Sequence, residues 1–227
     1  MQKLFLLVLV LVAAQGCKNY SKYPIDSLAS VKPDSRLLGI WKAVEDTNSY
    51  DFFVVQKAED IFEDFKKKWA QYKLGSSQDK KIYDNAYNEY LTHKDHYLYL
   101  TRMVDSGRGD SYRQWGSFIS EVGNQQFLNI VYQYSPGFVS KQNVTDERGY
   151  LLLRIIAANK AFDTVSVAMV NDPALKHLTS AEEVRRYVAK NQHAPAFYTD
   201  TLHLYKVSSY HSSLSQTIFE ANPKQKR

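Results

Sequence analysis

Three groups of side chains have types and spacings that could do chemistry. The first is centred on Arg154, set in the apolar run Leu152-Leu153-Arg154-Ile155-Ile156. A guanidinium inside a barrel-like interior would offer a planar fork of donors to a ligand carboxylate or phosphate. A partner-paired or solvent-facing arginine is the plainer reading. Asn129 and Gln133 share one face of an extended segment by the two-residue period, and could add hydrogen bonds to the same ligand unless that face points outwards. The second group is His93, Asp95 and His96. Two imidazoles three residues apart share a helical face, but a metal site needs a third ligand at comparable reach and the spacing supplies none. No metal and no cofactor are expected. The third is Cys17, the sole cysteine of 227 residues. No Gly-x-Ser-x-Gly elbow, His-Glu-x-x-His helix or phosphate-cradling Gly-x-x-x-x-Gly-Lys loop is present. Glu182 and Glu183 fall in the first turn of a helix, where the macrodipole accounts for them. Arg108-Gly109-Asp110 lies in a turn, where glycine and aspartate serve the backbone. The chain is therefore not expected to be an enzyme.

Cys17 takes its meaning from what precedes it. Lys3 is followed by an unbroken apolar run from Leu4 to Ala14. That is shorter than the ~20 apolar residues needed to span a bilayer, but it has the length of a signal-peptide core. Ala14, Gln15, Gly16 and Cys17 resemble the lipobox of bacterial lipoproteins. The resemblance implies cleavage of a signal peptide, residues 1–16, and lipidation of Cys17 with palmitate-like chains; the alternative is an ordinary secretory signal with a chance cysteine. Each buried acyl methylene contributes about 0.8 kcal/mol, so two or three chains hold a protein to a membrane without a spanning helix. In such lipoproteins an aspartate after the cysteine marks inner-membrane retention. Lys18 stands there, so the resemblance implies a lipid anchor in the outer membrane.

With its one cysteine acylated, the exported chain has no internal disulfide and depends on its core. The net charge of +5 is scattered among acidic residues, so no nucleic-acid partner is expected. The 17 Tyr and 11 Phe favour pleated, half-buried surfaces and hence strands.

The elements that would position these residues follow from hydrophobic period. Residues 17–36, polar and holding Pro24 and Pro33, read as a flexible tether. Leu37 to Asp46 and Ser49 to Lys57 form a hairpin across Thr47-Asn48. The period then changes: Phe62, Phe65, Trp69 and Tyr72 recur every three or four residues, and after Gly75 the segment Gln78 to Leu91 does the same with Tyr83, Tyr87 and Tyr90. These imply a helical hairpin inserted at 58–91. Alternation resumes in 97–105, 111–121, 126–134, 149–158 and 162–170. A helix begins at Thr179 or Ser180, followed by a last strand over 201–207 and a polar C-terminal tail, 208–227.

The expected fold is mainly β, an antiparallel barrel of about eight strands over 37–207 with the helical insertion and one late helix; a two-layer sandwich is the alternative. Gly39-Ile40-Trp41 at the head of the first strand is similar to the G-x-W signature of lipocalins, and the order of elements resembles lipocalin-like bacterial lipoproteins. The resemblance implies that Trp41 closes one end of a barrel beneath a basic residue of the last strand, with Lys206 the positional candidate and Arg154 a second. It also implies a small, partly apolar ligand inside. The helical insertion packs its aromatic side on the barrel in the plainer reading; otherwise it serves as a lid or partner surface through Trp69, Tyr72, Tyr83, Tyr87 and Tyr90. An adaptor subunit binding an envelope protein through that insertion or an open sheet edge is the alternative function; a hydrolase of envelope material comes third.

Overall fold

Large apolar residues at every second position, in segments long enough to cross a small barrel, dictate the architecture. The computed structural model describes residues 20–31, 33–44, 52–71, 77–105, 110–132 and 149–208. Among them are eight strands: β1 (Gly39–Ala43), β2 (Phe52–Lys57), β3 (Leu98–Asp105), β4 (Asp110–Val122), β5 (Gln125–Tyr132), β6 (Gly149–Ala158), β7 (Thr164–Val170) and β8 (Tyr198–Ser208). Each pairs antiparallel with the next, and β1 pairs with β8, so the sheet closes into a barrel. The first hairpin's turn, at Thr47-Asn48, and the tail beyond Ser208 lie outside the described residues.

Because side chains alternate across a strand, each strand feeds two cores. Leu128 and Ile130 of β5 and Leu153 and Ile155 of β6 face the barrel interior. Phe127 and Val131, and likewise Tyr150 and Leu152, belong to a second cluster on the outside of the sheet. Two buried faces explain why β6 reads as a near-continuous apolar run instead of an alternating one.

The outer cluster has two covers. One is α3 (Ala181–Asn191), preceded by the linking segment after β7. Ser180 caps it by accepting from the Glu183 amide at 3.2 Å, and the Glu183 carboxylate accepts from the Thr179 amide at 2.8 Å. Its apolar stripe places Val184 and Val188 against Phe118 and Phe127 in one cluster. Tyr187, on the same helix, donates to Asp172 Oδ2 at 2.8 Å. Burial first, then the bond to Asp172, pushes its phenol up to about 12. A raised folded-state value holds the neutral phenol, so this contribution to stability is complete below the ordinary value of about 10 and is lost as pH climbs towards the folded value. In alkaline absorbance titrations, subtracting Tyr187→Phe from the parent should therefore leave a tyrosine that ionises near 12. A difference centred near 10 would contradict this account.

The second cover corrects an expectation. The segment read as a flexible tether is docked from Tyr20 onward: Ser21 and Tyr150 exchange backbone bonds of 3.0 and 2.7 Å, and Ile25 and Val31 are buried in the outer cluster. The Ile25 amide donates to Asn129 Oδ1 at 3.0 Å, and Arg185 of α3 pairs with Asp26. Its polar average conceals two apolar side chains whose burial on the barrel wall offsets the cost of ordering the chain.

Between β2 and β3 stand α1 (Ala58–Gln71) and α2 (Ser77–His93). Phe62 is their shared centre, stacked on Tyr90 with centroids 4.5 Å apart and on Tyr87 at 5.2 Å, with Tyr83 tilted at 6.4 Å.

Candidate functional site: an apolar cavity inside the barrel

Strand directions define two ends. One holds the start of β1, the end of β2, the β6–β7 turn and the end of β8; the other, the mouth, holds the starts of β2, β4, β6 and β8. The first end is shut from within. Trp41 is 4 % exposed, and its Nε1 donates to the Leu37 carbonyl at 2.8 Å. Lys206 Nζ lies 4.8 Å from the indole centroid and donates to the Arg36 carbonyl at 2.9 Å, while the Arg36 guanidinium covers the Phe162 ring at 4.4 Å. Burial pushes the Lys206 ammonium below its ordinary value, with Asp163 opposing. The glycine of the signature has its own reason. Gly39 has φ +135°, and a Cβ there would meet the Ser208 carbonyl oxygen at 2.8 Å, so the β1–β8 seam closes only around a residue without one.

Above Trp41 lies a cavity of about 110 Å³. Trp41, Phe53, Val55, Leu128, Leu153 and Val167 are among its walls. Ser117 is the one hydroxyl among its lining residues, and its Oγ donates to the Leu98 carbonyl at 2.9 Å. Among the described residues no charged side chain lines the space. With the hydroxyl and the indole N–H both bonded to backbone, the described walls offer dispersion contacts and no directed polar partner. Such a space stays dry and accepts apolar guests; cavities of roughly 150 Å³ take up benzene. On the mouth side, Ile130, Leu151 and Met169 form a cluster against which Tyr20 and Trp115 pack. A Cβ on Gly149 would meet the Tyr20 ring at 2.6 Å, so the missing side chain of Gly149 makes room for that ring at the mouth.

Two of the residues expected to grip a polar ligand lie elsewhere. Arg154 is on the outer face of β6. Its Nε donates to Gln125 Oε1 at 2.9 Å, its Nη1 to the Gln192 carbonyl at 3.0 Å, and its guanidinium lies 5.2 Å from the Tyr198 ring centroid, so it clamps the end of α3. Asn129 is fully buried on the outer face of β5, held by Ile25 and by Ser120 Oγ at 2.9 Å. The parity of the apolar neighbours decides both cases, since Leu128 and Ile130, and Leu153 and Ile155, take the inward positions. Gln133, Cys17 and Tyr72 lie outside the described residues, as do Arg108 and Gly109, and Trp69 lies in α1 with its side chain outside the described set. His93 is buried and stacks on Tyr97 at 4.6 Å; His96 Nδ1 is 3.2 Å from the Val31 carbonyl. Among the described residues no group of three His, Cys, Asp or Glu side chains could hold a metal.

One further expectation changes. The helical pair enters between the end of β2 and the start of β3, at the Trp41 end, while Tyr20 and Trp115 pack against the mouth cluster. Closure of the barrel removes the open sheet edge through which an adaptor could have paired. Tyr20 had no signal of its own in the sequence, because nothing local connects it to Gly149. The chain matches no protein-family model, no curated protein and no solved structure.

Proposed function

We propose that this chain is a non-enzymatic envelope lipoprotein, cut before Cys17 and acylated there, whose barrel takes up a small apolar ligand. The guest is the end of an alkyl chain or a compact hydrocarbon group, with any polar head left at the mouth. One observation carries this reading: a closed barrel encloses an apolar cavity whose indole and hydroxyl donors are already bonded to the backbone. Lipocalin-like architecture is supported by Gly39 at the seam and by Lys206 over Trp41. Residence at the outer membrane follows from Lys18 after the acylated cysteine. The adaptor reading keeps one supporting feature, Tyr87 and Leu91, one helical turn apart on α2 and 41 % and 46 % exposed.

Trp41 lines the cavity and so reports on it. Titrating the chain beginning at Lys18 with straight-chain alcohols should give a saturable change in tryptophan emission. Affinity should rise about fourfold per added methylene, the equivalent of about 0.8 kcal/mol, until the space is full. Val167→Phe fills the cavity from one wall and should weaken binding at least about tenfold while leaving the barrel folded, because the added ring occupies existing space. No saturable change, or a Val167→Phe variant that binds as tightly as the parent, would refute the proposal.

A further inference from the structure

We infer that the mouth of the barrel is the face turned towards the lipid bilayer, so that an apolar guest passes between membrane and cavity at Tyr20. This rests on the anchoring reading above and adds an orientation to it. Tyr20 is the first described residue, its ring against Gly149 and the mouth cluster. Ser21 continues the ladder beside Tyr150 where β7 has already ended. Cys17 is three residues earlier, a reach of at most about 11 Å for a fully extended chain. From Gly149 to the far end of β6 at Ala158 the strand path is about 30 Å, or about 23 Å along the barrel axis at a usual tilt. An anchor on Cys17 therefore reaches the mouth and falls short of the Trp41 end.

The headgroup layer on each side of a bilayer is roughly 5 to 8 Å thick, comparable with that reach. Tyr20 is thus held at headgroup depth. The residues that follow suit such a surface: Lys22 is exposed and Tyr23 is 40 % exposed, a cation and an aromatic of the kinds that settle among headgroups. Val44, exposed at the mouth-side end of β1, adds an apolar contact. The opposite end also exposes apolar side chains, Ile156 and Val207, and is the competing face.

The test is hydrogen exchange of the full mature protein on phosphatidylethanolamine–phosphatidylglycerol vesicles, compared with the chain beginning at Lys18 in solution. Intact mass reports acylation of Cys17 separately. If no acyl mass is found, the anchoring reading fails by itself, and orientation is measured with the Cys17 thiol coupled to a maleimide-headgroup lipid. Amides of Tyr20–Tyr23, Ile25 and Val44 should slow at least about fivefold on vesicles, with the turns at Gly123-Asn124 and Asn159–Asp163 unchanged. Slowing at those turns, slowing on the exposed face of α3, or equal exchange throughout would overturn the orientation.

Discussion

Replacing Trp41 with alanine is expected to remove about 4 kcal/mol of stability, the range for truncating a buried aromatic, and to bring a domain of ordinary stability close to unfolding. The loss has identifiable parts. The indole is 4 % exposed, forms the floor of the cavity and donates to the Leu37 carbonyl. Without it Lys206 keeps its partly desolvated ammonium, already below its ordinary pKa through burial, and loses the ring that faces it. Urea denaturation read by circular dichroism measures the effect as a drop in midpoint with little change in slope. Lys206→Met, which keeps the alkyl stem and removes the charge, should cost far less, about 1 kcal/mol. A Trp41→Ala midpoint within the error of the parent would mean that the ring does not close this end.

Asn129→Leu is the second large effect, at about 3 kcal/mol. The two side chains have the same number of non-hydrogen atoms and the same branching, so the penalty comes from stranded polar groups and not from a void. Asn129 Oδ1 is the acceptor for the Ile25 amide at 3.0 Å, and its Nδ2 donates to Ser120 Oγ at 2.9 Å and to the Phe127 carbonyl at 3.3 Å. Leucine answers none of them. Because the bond joins residues 104 apart in sequence, its loss should also release the N-terminal arm before the barrel melts. Limited proteolysis should cut within 20–31 in the variant at a protease level that spares the parent. Unchanged melting together with unchanged protection of that arm would show that Asn129 does not pin it.

What could be read beforehand was whatever depends on period and punctuation. The strands, the inserted helical hairpin and the cap at Ser180 each arise from neighbours in the chain, and Phe62 with Tyr87 and Tyr90 meet because spacings of three and four put them on facing stripes. Closure into a barrel followed from strand number. For Arg154 the plainer, partner-paired alternative holds, and for Asn129 the outward face; in both cases the parity of the leucines and isoleucines beside the residue excludes it from the interior. The docked arm escaped notice for another reason. Ile25 and Val31 are too few to give a periodic signal, and their burial depends on a wall made by β4, β5 and β6, far away in sequence. Tyr20 and Gly149 are the extreme case, a ring and an absence of side chain that fit only once the barrel exists.

Pairing of β1 with β8 has a consequence for biosynthesis. Trp41 lies opposite Lys206, so the seam is sealed by the last described strand to be made. While the polypeptide is still being synthesised, β1 and each newly added strand present unpaired amides and carbonyls, the condition in which nascent sheets associate with one another. A product truncated before Thr201 would then be a sticky open ribbon and not a smaller barrel.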